Sequence, residues 1–379
     1  MQETTFEDLR PYYDSEINAA MCRIAENPLF PAILNFIYEG ENHDDLKEMF
    51  RNIHTTYDFQ IKVMHHAIRQ IAKKTATRYT TGGFDQLDKE KAYLFISNHR
   101  DILLDSALLQ ISLVESGRKT SEITFGSNLM SSDFIIDIGK SNKMFKVERG
   151  GNPRDFYNHS KHLSAYIRHT IQSKNESVWI AQRNGRTKDG NDLTDQGILK
   201  MFSMSGPGNL VENFAGLNLA PMVISYEWEP CDLMKSFELY KSLTEKYVKA
   251  PGEDLKSILT GITQFKGNIH LQITKPIGLQ DLQEINSEDK NEFYRNLLQL
   301  IDSRIHKNYK LFETNFIAFD LLNNSEKYLN IEYSPEAKEK FVEKMYKTIE
   351  KTACNAPELF SIFLNIYANP VQNSLKYYP

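Results

Sequence analysis

Two hydrophobic patterns alternate in the middle of this 379-residue chain. Short apolar and β-branched runs are followed by longer segments whose apolar residues recur at helical spacing. Such alternation predicts an α/β fold with a mainly parallel mixed sheet and helices on both faces. The predicted strands are Tyr93–Ser97, Ile123–Gly126, Phe145–Glu148, Val178–Ala181, Met222–Tyr226 and Ile269–Thr274, and the predicted helices between them are Ile102–Glu115, Phe156–Gln172 and Leu233–Val248.

Both ends of the chain show only the helical spacing. The predicted flanking helices are Glu16–Glu26, Pro31–Tyr38, Asp44–Asn52, Asp58–Lys74, Asp289–Lys307, Pro335–Thr352 and Pro357–Tyr367. A Thr-Gly-Gly turn at 81–83 separates the first group from the sheet region. We therefore divide the chain into an N-terminal helical region (1–82), an α/β domain (83–285) and a C-terminal helical region (286–379). The apolar run 359–367 is interpreted as core, with interfacial membrane anchoring as the alternative.

Composition and charge narrow the function classes. The formal net charge of -5 and the isoelectric point near 6.1 argue against nucleic acid as the main partner. Cys22, Cys231 and Cys354 are too far apart for a metal motif and suit buried thiols in a reducing compartment. The acidic N-terminus lacks a signal-peptide pattern, and no apolar run reaches the roughly 18 residues of a membrane span. We expect a cytoplasmic protein, with peripheral attachment to the inner face of the cytoplasmic membrane as the alternative.

The first candidate chemical group is His99, which follows the strand ending at Ser97. Open α/β sheets usually bind ligands at the carboxyl ends of their strands. A following helix N-terminus disfavours the imidazolium form, so His99 suits the role of a general base. Asp101 and Asp105 are both close enough in sequence to orient the imidazole. Asp101 has a second interpretation, as the cap of the next helix.

Two further strands end in arginines. Arg149 precedes a Gly-Gly pair, and the loop after Ala181 carries Arg183, Arg186 and Lys188 around Gly185. Guanidinium groups and loop amides suit phosphate binding. Ordinary surface ion pairs and a solvated basic turn are the alternatives. The histidines elsewhere lack companions at metal-ligand spacing, so no metal site is expected.

Taken in order, these blocks resemble the four motifs of the glycerolipid acyltransferase family. The blocks are Asn98-His99 with a downstream aspartate, Phe-x-Val-x-Arg ending at Arg149, Gly185-Arg186, and Pro221 followed by an apolar strand. Within the family, the bacterial lysophosphatidate (1-acyl-glycerol-3-phosphate) acyltransferases look most similar, on the strings 96–108, 179–192 and 224–232. The motif match covers roughly residues 93–230, and a weaker subgroup resemblance extends to Pro370.

The resemblance implies acyl transfer from acyl-CoA or acyl carrier protein to the hydroxyl of a lysophospholipid, without a cofactor. It makes His99 the base, Asp105 its partner with Asp101 as the alternative, and Arg149, Gly185 and Arg186 the acceptor-phosphate site. The supporting positions it suggests are Asn98, Arg100, Asn184 and Lys188.

The chain departs from the family pattern at two places. Five residues separate His99 from Asp105 where the family has four, and Asn184 replaces a glutamate. Alternative functions are therefore acylation of another acceptor, such as glycerol-3-phosphate or an aminolipid, and non-catalytic lipid binding.

Overall fold

A single seven-stranded sheet forms the centre of the protein in a computed structural model that describes residues 6–350 and 357–378. The strands are β1 (Ala76–Gly82), β2 (Leu94–Ser97), β3 (Glu122–Gly126), β4 (Met144–Val147), β5 (Val178–Ala181), β6 (Leu219–Tyr226) and β7 (Gly267–Ile273). Their order across the sheet is β1-β7-β6-β2-β5-β3-β4. All neighbouring pairs are parallel except β6 and β7, which run antiparallel. The predicted mainly parallel mixed sheet is therefore confirmed.

Helices cover both faces of this sheet. They are α1 (Asp14–Glu26), α2 (Phe30–Ile37), α3 (His43–Arg51), α4 (Thr56–Phe59), α5 (His66–Thr75), α6 (Leu104–Glu115), α7 (Asp133–Ser141), α8 (Pro153–Gln172), α9 (Gln196–Phe202), α10 (Leu210–Ala215), α11 (Asp232–Lys241), α12 (Glu253–Thr263), α13 (Leu279–Glu284), α14 (Lys290–Asn308), α15 (Glu313–Leu322), α16 (Pro335–Ile349) and α17 (Pro357–Leu375). None of the described helices combines the length and apolar character needed to cross a bilayer.

Alternating side chains of the central strands enter two separate cores. Leu94 and Ile96 of β2 pack with α8 and α14, whereas Phe95 packs with α5 and α6 on the other face. Such two-sided burial explains why β2 is continuously apolar rather than alternating. Two smaller cores lie in the helical regions, one formed mainly by α1 to α3 and one by α15 to α17.

The helical regions differ from the prediction in detail. The 359–367 run is core as predicted, because Leu359, Phe363 and Tyr367 are buried. The predicted helix Asp58–Lys74 corresponds to α4 and α5 joined by a π-helical turn at Gln60–His65. The end of the predicted helix Pro335–Thr352 lies outside the described residues. The three-part domain division remains a prediction.

Several elements were absent from the prediction. Strand β1 is the largest omission, because it pairs in parallel with β7 at the sheet edge. The missed helices are α7, α9, α10, α12, α13 and α15. The predicted helix Leu233–Val248 is wrong in its second half, since α11 ends at Lys241 and turns follow. Cys231 is buried and Cys22 half-buried, both as free thiols, and Cys354 lies outside the described residues.

Candidate active site

The end of β2 and the first turn of α6 bring a histidine and an aspartate together. The Nδ1 atom of His99 lies 2.9 Å from Oδ2 of Asp105, whose side chain is fully buried. The backbone amides of Arg100 and Asp101 donate to the same oxygen, at 2.5 and 2.9 Å. Tyr226 at the end of β6 donates its hydroxyl to Oδ1 at 2.8 Å. Four hydrogen bonds from two strand ends thus fix the position of this carboxylate.

This geometry determines which nitrogen of His99 can accept a proton. An N–H at Nδ1 donates to Asp105, so Nε2 is left as the proton acceptor. Trp179 packs edge-on against the imidazole, with ring centroids 5.6 Å apart. Although Asp105 is fully buried, the His99 side chain keeps 14% of its surface exposed. The imidazole is therefore accessible to a substrate, while the Asp105 carboxylate is shielded from solvent.

Asp101 has a different place in the same turn. Its Oδ1 accepts the backbone N–H groups of Leu103 and Leu104 at 2.9 and 2.8 Å, which makes it the cap at the start of α6. Its buried Oδ2 accepts no hydrogen bond within the described chain. Burial, together with the charge of Asp105, raises the pKa of Asp101. Of the two candidate acids, Asp105 contacts the imidazole and Asp101 caps the helix.

Helix α12 lies directly over the Asp101 carboxyl group. A β-carbon at Gly261 would stand only 2.0 Å from Asp101 Oδ2, far inside van der Waals contact. Nearby, Ser257 of the same helix accepts a hydrogen bond from Arg186. The close approach therefore requires a residue without a side chain at position 261.

Gly261→Ala is expected to destabilise the protein by about 1–3 kcal/mol, because the new methyl group overlaps a carboxyl group held by two backbone amides. Urea unfolding of both proteins measures the loss. Gly208→Ala is the matched control, because a β-carbon at Gly208 meets no atom within 4 Å. An equal loss of stability in the two variants would contradict the close packing of α12 on Asp101.

The loop after β5 carries Arg186 next to His99. The backbone N–H of Thr187 donates to the carbonyl oxygen of His99 at 2.7 Å, so the loop and the histidine turn are joined directly. Arg186 is buried and donates through Nη2 to Ser257 Oγ at 3.1 Å. Its Nη1 has no hydrogen-bond partner among the described residues. Because a buried guanidinium donor without a partner is costly, this atom is suited to an anionic ligand.

Gly185 and Arg149 complete the predicted phosphate site. Gly185 has φ +76°, a left-handed conformation that favours glycine, and the space beside its α-carbon is open. Arg149 is exposed after β4, and its backbone N–H donates to Ser127 Oγ at 3.1 Å. Desolvation by neighbouring residues lowers the pKa of Arg149, and the charge of Asp254 opposes that shift. Arg186 also acts on the pKa of Asp254, so both arginines are within electrostatic range of one carboxylate.

Two of the suggested supporting residues, Asn98 and Arg100, flank His99. Arg100 is buried and forms ion pairs with Asp192 at 2.6 Å and Glu229 at 2.9 Å, so its charge is already balanced inside the protein. Asn98 bridges β2 to β6 through hydrogen bonds with both backbone groups of Ile224, at 2.8 and 3.0 Å. These contacts hold the turn that carries His99.

The other two supporting residues lie in the loop after β5. Lys188 forms an ion pair with Glu238 of α11. Asn184 is exposed to solvent. In this loop, therefore, Lys188 is ion-paired and Asn184 is exposed, and both lie close in sequence to the buried Arg186.

The C-terminal helix supports the same loop from its far side. Asn369 and Asn373 of α17 donate side-chain N–H groups to the carbonyl oxygens of Asp189 and Asn191, at 2.6 and 2.8 Å. Between them Gly190 adopts φ +81°, and a β-carbon there would lie 2.2 Å from the carbonyl oxygen of Ile366. The loop and α17 thus meet backbone to backbone, which only glycine allows.

Sequence reasoning missed the contributions of Tyr226, Trp179 and Ser257. Tyr226 ends an apolar strand, and no local pattern signals that its hydroxyl reaches a carboxylate in α6. Ser257 lies in a helix that the sequence did not predict. Within residues 6–350 and 357–378, no three histidine, cysteine, aspartate or glutamate side chains are grouped so that they could hold a metal ion.

Comparison with known proteins gives distant likenesses among solved structures alone. No protein-family model matches the chain, and no curated protein matches it in sequence. Among solved structures, the crystal structure of the 1-acyl-sn-glycerophosphate (LPA) acyltransferase PlsC from Thermotoga maritima is similar at 11% identity and a TM-score of 0.36. The likeness covers 76% of the present chain and 94% of the other.

Proposed function

We propose that this protein is an acyltransferase that moves a fatty acyl group from a thioester to the hydroxyl of 1-acyl-glycerol-3-phosphate, as in phospholipid biosynthesis. The observation that supports this proposal is the His99–Asp105 pair, 2.9 Å apart at the end of a central strand. The ordered motifs in the sequence identify the reaction class. The donor is acyl-CoA or acyl carrier protein, and no cofactor takes part.

The reaction follows from the geometry of the pair. His99 Nε2 takes the proton of the acceptor hydroxyl as its oxygen attacks the thioester carbonyl carbon. Asp105 stabilises the imidazolium that forms. Once the new C–O bond of the ester has formed, the C–S bond of the thioester breaks, and the imidazolium gives its proton to the leaving sulfur. Since a thioester is already activated, a positioned base and a fixed acceptor suffice for this chemistry.

The acceptor phosphate is assigned to the loop after β5. Arg186 Nη1 is the buried donor without a partner, and Arg149 adds a second positive charge at the same edge of the sheet. Gly185 leaves space for the phosphate oxygens to approach the backbone. Lys188 and Arg100 are paired with carboxylates, so we assign them to holding the loop.

A thiol-release assay tests the reaction. Purified protein with a long-chain acyl-CoA should release free CoA when lysophosphatidate is added, and an acylated phosphatidate should appear in equal amount. Release with glycerol-3-phosphate or an aminolipid instead would assign a different acceptor. No release with any acceptor, using either acyl-CoA or acyl carrier protein, would favour a lipid-binding protein and contradict the proposal.

Arg186→Ala and Arg149→Ala are expected to raise the acceptor KM by about tenfold or more, since a charge-assisted hydrogen bond contributes about 1.5–3 kcal/mol. The KM for acyl-CoA should change little. Steady-state kinetics with each substrate varied in turn measures both constants.

Arg78→Ala serves as the control for these variants, because Arg78 is exposed on β1 at the opposite end of the strand order. It should leave both KM values unchanged. If Arg186→Ala and Arg149→Ala instead affected only the thioester donor, these arginines would belong to the donor site.

A further inference from the structure

Helix α12 exposes two leucines and buries small and polar residues, while its Ile262 packs against the core. Its inward face carries Asp254, Ser257 and Gly261, which approach Arg149, Arg186 and Asp101 of the candidate site. Its outward face carries Leu255 and Leu259, one turn apart and each 54% exposed. A surface helix of a soluble protein normally buries its apolar face against the core.

Exposed apolar side chains are concentrated around this helix. Of the fifteen large apolar side chains that are exposed in the described part of the chain, five lie between residues 243 and 265. Besides the two leucines of α12, they are Leu243, Val248 and Phe265, with exposures of 62, 79 and 51%. A group of this kind marks an interaction surface, because exposing it to water is unfavourable.

The charges around these residues indicate an anionic partner. Lys241, Lys246 and Lys256 are exposed in this segment, and Lys249 is exposed but paired with Asp254. The acidic residues are the exposed Glu245 and the half-buried Glu253 and Asp254, so residues 241–256 carry four lysines and three acidic residues in a chain whose net charge is -5. Apolar side chains combined with lysines are typical of helices that lie in the interface of an anionic bilayer.

We propose that α12 and the turns before it dock on an anionic lipid bilayer, with Leu255 and Leu259 inserted and the lysines at the headgroups. This surface covers the side of α12 opposite the candidate site, so docking holds Arg149 and Arg186 next to the bilayer. The inference rests on the proposed function for its choice of a lipid surface.

Vesicle flotation of the full-length His99→Ala protein, without any acyl donor, tests the docking independently of catalysis. Adding Leu255→Ser and Leu259→Ser should weaken binding to phosphatidylcholine vesicles containing phosphatidylglycerol by about tenfold or more. The reason is that two apolar side chains are no longer transferred from water into the bilayer. Lys246→Gln and Lys256→Gln should each weaken binding to these vesicles by about fivefold, and less so in high salt. The lysine changes should have no effect on vesicles of phosphatidylcholine alone.

Leu279→Ser and Ile331→Ser are the matched controls, because both residues are exposed, at 52 and 75%, in other elements. Circular dichroism and the unfolding midpoint verify that each variant is folded. Equal vesicle binding by the α12 variants and the controls would overturn the inference. A change in oligomeric state, in place of lost vesicle binding, would overturn it in favour of an interface between copies.

The two proposals fail in distinguishable ways. Acyl transfer by the wild type with unchanged vesicle binding in the α12 variants would leave the proposed function standing and remove the docking surface. Leucine-dependent vesicle binding without any acyl transfer would leave the docking surface standing and remove the reaction.

Discussion

His99→Ala should lower kcat for acyl transfer by about 10²- to 10⁴-fold, the usual contribution of a general base. The reason is that the bond from Nδ1 to Asp105 leaves Nε2 of His99 as the proton acceptor for the acceptor hydroxyl. The KM for either substrate should change by much less, because the phosphate contacts assigned to Arg149 and Arg186 are untouched. Single-turnover release of CoA thiol, with lysophosphatidate in excess, isolates the chemical step.

His159→Ala is the control for this experiment, since His159 is exposed on α8 and is not assigned any role. It should transfer acyl groups at the wild-type rate. Full activity in His99→Ala would show that another group takes the proton, and the proposed mechanism would then be wrong.

Asp105→Asn is expected to reduce kcat by about 10²- to 10⁴-fold, by analogy with loss of the orienting acid in other His–Asp pairs. An amide in place of this carboxylate can no longer stabilise the imidazolium with a negative charge. The amide NH₂ group is also a donor, and it would face groups that are themselves donors, since every partner of the Asp105 carboxylate donates to it. The decisive comparison is with Asp101→Asn, which should keep most of the activity, because an asparagine oxygen can still cap α6.

Asp101→Asn should also change the pH dependence of stability. The pKa of Asp101 is raised by burial, so the folded state binds a proton more tightly than the unfolded chain. Its ionisation therefore destabilises the fold as the pH rises from the ordinary value of 3.8 through the raised one. Asp101→Asn should remove that loss of stability, which urea unfolding from acid to neutral pH would show.

The activities of the two variants test the assignment of the acid. Loss of activity in Asp101→Asn with full activity in Asp105→Asn would reverse that assignment.

The central strands were predictable because they are buried on both faces and their apolar runs are uninterrupted. Strand β1 was not, since its residues are half-buried or exposed at an edge of the sheet and include polar residues such as Thr77 and Arg78. Helix α12 escaped prediction for the opposite reason. Its leucines face solvent, whereas its glycine, its serine and Ile262 face the protein, so its apolar residues do not mark one buried face.

Within the site, the residues alone could place His99 at a strand end and name two acids, and only the family resemblance favoured Asp105 over Asp101. The choice depends on the path of the backbone through residues 100–103, which turns Asp105 beneath the imidazole and Asp101 toward the helix amides. Arg100 shows a similar limit. Its ion pairs with Asp192 and Glu229 join residues about 90 and 130 positions apart, and no local pattern records such partners.

The support that α17 gives to the loop after β5 has a consequence for synthesis on the ribosome. Asn369 and Asn373 are made 180 and 182 residues after the carbonyl groups that they hold. At translation rates of about 5–20 residues per second, that separation corresponds to roughly 10–40 s. During this interval the nascent loop lacks its last backbone contacts, although β2, β5 and the His99 turn have already been synthesised. The loop proposed to bind the acceptor is therefore completed late, after the strands that carry it.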